Sequence, residues 1–308
     1  MLIKLQDGVN FDKSTLGNKA YNLSQLFSAN FNVAEGFILT AHAYDIFKKH
    51  NKHFFDDEEN KVSLPEDLKN IINSELETIN DTTVYFVVRS SGVNEDGIQF
   101  SYAGQYKTII GAKNSSGVLN AVVDCWLNYI MSYKKREERI EAPPMPLLIQ
   151  RLVSPFVSGV MFTAHPILNS LDETIIESNY GLCSSIVDGE FAVDRFVINK
   201  INGNITDDVA YKEYYYSFVT QSGLTKTRCT NTQGASASLT RSQIKNIFNL
   251  GEKITSLFRC PQDIEWGICT LDNKKTKIYI FQSRSITTMN KTVNYYSNIE
   301  EDIAKMLK

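Results

Sequence analysis

The chain has 308 residues, of which 43% are hydrophobic and 22% are charged, values that are ordinary for a globular protein with a large core. Its net charge of −3 gives no electrostatic case for nucleic-acid binding, and no apolar run approaches the roughly 20 residues of a membrane span. The five cysteines form no C-x-x-C pair. We therefore expect neither a zinc site nor a disulfide framework, and a reducing cytoplasm as the location.

Helical and strand patterns alternate along the chain, which predicts an α+β or α/β protein. The predicted helices are Asn18–Phe27, Ala41–His50, the segment after Ser63, residues 115–140 and the segment after Thr240. The predicted strands are Tyr85–Val88, Leu147–Val153, Gly159–Thr163, Thr174–Ser178 and Arg195–Asn199, followed by hairpins that turn at residues 202–204 and near residue 273. Ser63 with Glu66, and Thr240 with Gln243, have the spacing of a helix capping box.

The segment EAPPMP, residues 141–146, is the expected boundary between two lobes, because its prolines cannot continue a helix. We expect an N-terminal lobe over residues 1–143 and a second lobe over residues 144–290. Residues 291–308 are expected to form a C-terminal tail or linker, with a short helix over its last part, NIEEDIAKMLK.

The last predicted hairpin carries four polar residues within two apolar strands. A turn centred on Asn273–Lys274 places Glu265 opposite Gln282 and Asp263 opposite Arg284, all on one face of the hairpin. Carboxylate and amide oxygens suit a hard cation, and arginine binds phosphate, so this face is a candidate metal–phosphate site. A sheet with one solvated face and two cross-strand pairs explains the pattern equally well.

Two further segments carry candidate phosphate-binding cations. In LGNKAYNL, Lys19 follows a glycine turn at the start of a helix, where phosphate is favoured. In VVRSSGVNEDG, Arg89 ends an apolar strand and precedes Ser90, Ser91 and a polar loop to Gly97, which suits an anion site covered by a mobile loop. A solvated surface lysine and a structural arginine ion pair are the alternatives.

The segment PLLIQRLVSPFVSGVMFTAHP predicts two buried strands with backbone exposed between apolar side chains. Such an edge could bind a purine between apolar side chains with a few hydrogen bonds, although the segment by itself fits plain core better. The following segment, ETIIESNYGLCSSIVDGE, places Glu177 on a strand before a glycine turn at Gly181.

Five separated motifs, taken in order, resemble the N-terminal nucleotide-binding region of phosphoenolpyruvate synthases, pyruvate phosphate dikinases and rifampin phosphotransferases. The similarity covers about residues 14–288 and rests on LGNKAYNL, VVRSSGVNEDG with SYAGQY, IQRLVSPFVSGVMFTAHP, ESNYGL, and PQDIEWGI with FQSRSIT. The resemblance implies an α+β protein with a two-lobed ATP-grasp fold, mostly antiparallel sheets and flanking helices. It also implies ATP and Mg²⁺ as cofactors.

The resemblance assigns roles to particular residues. The implied catalytic residues are Lys19, Arg89, Asp263 and Arg284. The implied magnesium ligands are Glu265 and Gln282. The implied nucleotide contacts are Lys19, Arg89, Ser90, Ser91, Gln150, Leu152, Val153, Glu177, Glu265, Gln282 and Arg284. Within this set, the segment from Gln150 to Val153 corresponds to the adenine-binding connection between the lobes, and the loop from Ser90 to Gly97 to a flexible phosphate cover.

The sequence departs from the family pattern in three respects, of which the change of Q-x-R-P to Gln282-Ser283-Arg284-Ser285 is expected to be harmless. The family's G-L-G-E reads Gly181-Leu182-Cys183-Ser184 here, which puts the usual backbone approach of that loop in doubt. No G-G-x-x-[ST]-H segment occurs among the four histidines, so the carrier histidine of the family reaction is expected outside these 308 residues.

The expected function is that of an ATP-binding phosphotransferase module. By the resemblance, it cleaves ATP to AMP, passes the β-phosphoryl group to a carrier histidine on another domain or subunit, and serves a small-molecule acceptor that the sequence does not identify. Two alternatives stay open at this point: a stand-alone small-molecule kinase and a non-catalytic ATP-sensing module.

Overall fold

The computed structural model of the chain describes residues 1–52, 61–79, 83–93, 107–134, 142–271 and 275–286. Several expectations fall outside these ranges. They are the later part of the loop after Ser91 (Asn94 to Gly97), the SYAGQY motif, the hairpin turn at Asn273–Lys274 and the C-terminal tail with its short helix.

The chain divides into two compact units, each described separately below. Unit 1 is Met1–Val153 with Phe218–Thr225, and unit 2 is Ser154–Ser217 with Lys226–Lys308. The first division therefore falls at Val153, downstream of the expected boundary in EAPPMP, and a short internal segment groups with unit 1.

Unit 1 is built on a five-stranded antiparallel sheet in the order β1-β2-β5-β3-β4. Its elements up to Val153 are β1 (Leu2–Lys4), a 3₁₀ helix (Leu5–Asn10), α1 (Lys13–Leu16), α2 (Asn18–Ser28), β2 (Gly36–Leu39), α3 (Ala41–His50), α4 (Glu66–Ile79), β3 (Tyr85–Ser90), β4 (Thr108–Lys113), α5 (Asn114–Lys134) and β5 (Leu147–Arg151).

One face of the unit 1 sheet forms a large apolar core. Phe37, Val88 and Ile149 alternate with residues of the opposite face along their strands and pack with Phe47 of α3 and Trp126 of α5. All five side chains are almost fully buried. The strand ends that carry the candidate site are therefore held by a well-packed scaffold.

Unit 2 is built on a six-stranded antiparallel sheet in the order β13-β12-β6-β7-β8-β9. The elements after Val153 are β6 (Val157–Phe162), β7 (Glu173–Tyr180), α6 (Ser184–Val187), β8 (Asp194–Asn199), β9 (Ile205–Asp208), β10 (Tyr214–Val219), β11 (Gly223–Arg228), α7 (Asn231–Ala235), α8 (Arg241–Phe258), β12 (Gln262–Thr270) and β13 (Thr276–Ser285). Strands β10 and β11 form a separate two-stranded hairpin, and its tip belongs to unit 1.

The two faces of the unit 2 sheet differ in character. On one face, Met161, Ile176 and Trp266 are fully buried. Helix α8 packs close to this face, because a Cβ at Gly251 would lie 2.5 Å from Cε of Met161. The opposite face carries five partly buried polar residues, and we call it the polar face: Glu177 of β7, Asp263 and Glu265 of β12, and Gln282 and Arg284 of β13.

The predictions for the described elements are largely confirmed. The protein is α+β with antiparallel sheets, and helices begin at Asn18 and Ala41 as predicted. The capping box at Thr240 is present, with Gln243 as its partner. The box expected at Ser63 is wrong, because helix α4 begins only at Glu66 and the Ser63 backbone binds the Asn51 side chain instead.

No helix in the described part of the chain is long and apolar enough to cross a membrane.

Candidate nucleotide-binding site

In unit 1, the turn before α2 is fixed against the segment that follows β3. Gly17 has a φ of +75°, and a Cβ there would lie 1.4 Å from the carbonyl oxygen of Ser91. The Ser91 hydroxyl donates to the Leu16 carbonyl and accepts from the Ala20 amide, both at 2.9 Å. Only glycine fits this close approach. Ser91, expected as a nucleotide contact, uses its buried hydroxyl to hold the start of α2.

Lys19 lies in the first turn of α2 and is buried, which excludes the alternative of a solvated surface lysine. Its ammonium Nζ donates to the carbonyl oxygen of Ser90 at 3.1 Å. Arg89 is the preceding residue of β3, half-buried and opposite Leu148 in the ladder. The two candidate phosphate-binding residues therefore meet at the end of β3: Arg89 is part of the strand, and Lys19 of α2 binds the next residue.

The segment after β5 holds an unused pair of backbone hydrogen-bonding groups. The Gln150 side chain is buried and donates to the carbonyl of Ala34 at 2.8 Å, and the Leu152 amide donates to the carbonyl of Tyr85 at 2.7 Å. Within the described ranges, neither the Leu152 carbonyl nor the Val153 amide has a hydrogen-bond partner. This donor–acceptor pair follows a buried strand, as an adenine edge would require.

In unit 2, the hairpin β12–β13 has the predicted register. Asp263 lies opposite Arg284 and Glu265 opposite Gln282, and residues directly opposed in an antiparallel pair share a face. Toward the turn the register shifts between Glu265 and Trp266, where Phe281 forms a bulge. The polar pairs lie on the base side of the bulge and keep the predicted register, whereas the pairs toward the turn are shifted by one residue.

Asp263 and Arg284 form the cross-strand ion pair that the hairpin pattern allowed. Nε and Nη2 of Arg284 both lie 2.9 Å from Oδ2 of Asp263, and both side chains are partly buried. Arg284 lies on the same face of the hairpin as Glu265 and Gln282. The cross-strand pair and the metal–phosphate site are thus compatible interpretations of the hairpin, because an arginine oriented by one carboxylate can also bind an anion.

Glu265 and Gln282 lie opposite each other in the ladder, and their side-chain oxygens are the candidate metal ligands. Mg²⁺ is commonly bound through one or two protein oxygens, with phosphate oxygens and water completing the octahedron. The donor set therefore fits Mg²⁺. The described residues contain no group of three or more His, Cys, Asp or Glu side chains that could hold a metal without such help.

Glu177 lies in the same row of the polar face. It is opposite Val160 of β6, which is opposite Glu265 of β12, and on its other side it is opposite Arg195 of β8. The row thus joins the expected metal ligands to the expected nucleotide contact across neighbouring strands. The sequence motifs did not single out Arg195, because a basic residue inside an ordinary strand pattern carries no signal by itself.

The loop that departs from the family pattern is supported by the β10–β11 hairpin. Gly181 has a φ of +69°, and a Cβ there would lie 2.0 Å from the Tyr216 carbonyl oxygen, which also accepts from the Leu182 amide at 2.7 Å. The Cys183 thiol is buried and lies 3.3 Å from the Gly159 carbonyl. Our sequence reading missed this hairpin, although the run YYYSFV before a Gly-containing turn could have indicated it.

Comparison with known proteins places these features in a family. The profile described as the pyruvate phosphate dikinase AMP/ATP-binding domain matches residues 13–302. The chain belongs to this family. Its membership confirms the predicted resemblance, and the α+β architecture with antiparallel sheets is the one expected of an ATP-grasp domain.

Over the aligned regions, the relatives are between 26% and 29% identical to this chain. An uncharacterized phosphotransferase, YvkC, of Bacillus subtilis (strain 168) is 29% identical over 284 residues, covering 89% of this chain and 33% of the relative. The prodigiosin synthesizing transferase PigC of Serratia marcescens is 26% identical over 312 residues, covering 97% and 34%. The phosphoenolpyruvate synthase of Pyrococcus furiosus is 29% identical over 238 residues, covering 73% and 29%.

The chain therefore spans about a third of the length of these relatives. Among solved structures, D-alanyl-alanine synthetase A of Vibrio cholerae matches 81% of this chain and 58% of its own, with 9% identity and a TM-score of 0.31. A similarity this weak adds nothing to the fold assignment.

Proposed function

We propose that this chain is the ATP-binding module of a phosphotransferase, which binds ATP with Mg²⁺ and passes a phosphoryl group to a carrier histidine outside these residues. The observation that carries the proposal is the register of β12–β13, which pairs Glu265 with Gln282 and Asp263 with Arg284 in a member of an AMP/ATP-binding family. The names of the relatives, which include a phosphotransferase and phosphoenolpyruvate synthases, support the reaction class.

The residues of unit 2 would bind the triphosphate in two ways, through a metal ion and through a fixed positive charge. Glu265 and Gln282 would hold Mg²⁺, which when bound neutralises phosphate charge. Arg284 supplies a fixed positive charge, and Asp263 fixes the plane of its guanidinium through two bonds to one carboxylate oxygen. Such fixed charges stabilise the transferring phosphoryl group without having to reorganise during the reaction.

The residues of unit 1 bind phosphate and adenine. Lys19 and Arg89 contribute two cations at one strand end, and Gly17 and Ser91 hold that end in place. The Leu152 carbonyl and the Val153 amide accept and donate one hydrogen bond each at the adenine edge. Gln150, whose amide is bound to Ala34, shapes the segment that presents them.

The carrier histidine is the first acceptor of the phosphoryl group. The family reaction would break two bonds of ATP: the α–β bond, as the histidine takes the β-phosphoryl group and AMP leaves, and the β–γ bond, which water cleaves to release phosphate. The final acceptor is a small molecule bound elsewhere.

The test is to replace a residue of the hairpin face and measure ATP turnover in the presence of a separately supplied carrier-histidine domain. Glu265→Gln should lower turnover about 10²- to 10³-fold, the usual effect of removing one group that stabilises transition-state charge. The matched control is Glu213→Gln, an exposed carboxylate of unit 2 whose ion pair lies on the surface. Full turnover by Glu265→Gln would overturn the proposed role of the hairpin.

A further inference from the structure

Arg195 occupies the polar face beside Glu177 but belongs to none of the motifs discussed above. Directly opposed pairs connect Gln282, Glu265, Val160, Glu177 and Arg195 in one row across five strands. Since opposed residues of antiparallel strands share a face, Arg195 projects on the same side of the sheet as the expected metal ligands.

The contact between Arg195 and Glu177 is loose and has little structural value. Nε of Arg195 lies 4.0 Å from Oε1 of Glu177, and the side chains are 41% and 30% exposed. Among the described residues, the buried Nε of Arg195 has no hydrogen-bond partner. A half-exposed ion pair at this distance contributes little to stability, and Asp208, opposite Arg195 on its other side, is exposed, so these two neighbours do not account for the placement of this arginine.

The spacing of the row indicates which part of a nucleotide this pair meets. Neighbouring strands are about 4.8 Å apart, so Glu177 lies roughly 10 Å and Arg195 roughly 14 Å from Glu265 along the row. If the phosphates lie at Glu265 and Gln282, the Glu177–Arg195 pair lies toward the nucleoside end. Its contribution should therefore be to nucleotide affinity and not to the chemical step.

We propose that Arg195 is a positioning residue that orients the Glu177 carboxylate to accept hydrogen bonds from the nucleoside part of ATP. This inference rests on the proposed function, because it requires ATP on the polar face. When ATP binds, Glu177 turns toward the nucleoside and the Arg195 guanidinium stays within ion-pair distance of its second oxygen.

The experiment is a double-mutant cycle on ATP affinity, measured by isothermal titration calorimetry with Mg²⁺ on the full chain. Arg195→Met should weaken ATP binding roughly 3- to 10-fold, the effect of one hydrogen-bonding contact, and Arg195→Lys should recover part of that loss. In a Glu177→Gln background, Arg195→Met should have no further effect, because the arginine acts through Glu177. The control, Arg228→Met, removes an exposed arginine whose ion pair with Glu213 lies on the surface, and should bind ATP like wild type.

A purely structural arginine would change the unfolding temperature without showing this dependence on Glu177, which a thermal unfolding scan of each variant checks. Unchanged affinity of Arg195→Met, or additive losses in the double variant, would overturn the inference while the proposed function stands. Failure of the wild-type chain to bind ATP would overturn the proposed function, and the role of Arg195 with it.

Discussion

Replacing Gly17 with alanine tests how the phosphate-binding lysine is held. The backbone at this position, with φ of +75° and ψ of 163°, lies in a region used almost only by glycine, and it costs an L-residue roughly 1–3 kcal/mol. The new Cβ would also lie 1.4 Å from the Ser91 carbonyl oxygen, so Ser91 must move. Moving it threatens both hydrogen bonds of its hydroxyl, each worth about 0.5–1.5 kcal/mol. We expect Gly17→Ala to lose about 2–6 kcal/mol of unfolding free energy in unit 1.

The matched control is Gly203→Ala. Gly203 has nearly the same φ, +71°, but its Cβ position has no atom within 4 Å. The control therefore measures the cost of a side chain at a position of positive φ without the overlap, and we expect about 1–2 kcal/mol. The additional loss in Gly17→Ala contains the contact with Ser91 together with the cost of the extended ψ of 163° at Gly17.

The assay uses the two tryptophans of the chain, one in each unit. Trp126 reports on unit 1 in a Trp266→Phe background, and Trp266 reports on unit 2 in a Trp126→Phe background. Urea denaturation gives the free energy, and calorimetry gives the ATP affinity, which should fall about 10-fold or more as Lys19 is displaced. If Gly17→Ala destabilises unit 1 no more than Gly203→Ala destabilises unit 2, the reasoning about this contact is wrong.

Two further predictions concern buried charge and buried thiols. Lys212 and Asp194 form a fully buried ion pair at 2.5 Å, so Lys212→Met should cost about 3–5 kcal/mol in the Trp266 transition, and a loss below 1 kcal/mol would contradict this. Burial raises the pKa of the Cys125 and Cys269 thiols to about 12, so iodoacetamide at pH 8 should leave both unmodified in the native chain and modify them in urea, whereas equal rates in both conditions would refute this. The extent of modification at each cysteine is measured by mass spectrometry, and the less buried Cys260 serves as the internal reference.

The hairpin shows how far local pattern determines structure. Strand alternation and a turn position were enough to pair Asp263 with Arg284 and Glu265 with Gln282. The bulge at Phe281 was not predictable, because it depends on packing: the Phe281 ring occupies the space beside Gly267, which has no side chain of its own.

The unit 1 half of the site was only partly predictable for the same reason. The sequence predicts Lys19 at a helix start and Arg89 at a strand end. It does not reveal that Ser91 caps the helix from more than 70 residues away, since that hydrogen bond depends on tertiary contact. The expected capping of α4 by Ser63 is wrong, because both backbone hydrogen-bonding groups of Ser63 are bound by the Asn51 side chain. The roles of Gln150, Leu152, Val153 and Glu177 in binding a nucleotide stay predictions.

The most direct test of the central claim is analysis of the nucleotide products. The pure chain is incubated with ATP and Mg²⁺, with and without a separately supplied carrier-histidine domain, and AMP, ADP and phosphate are quantified. The proposed function predicts AMP and phosphate only when the histidine domain is present. ADP formed with a small-molecule acceptor and no histidine domain, or ATP binding without any product, would contradict it.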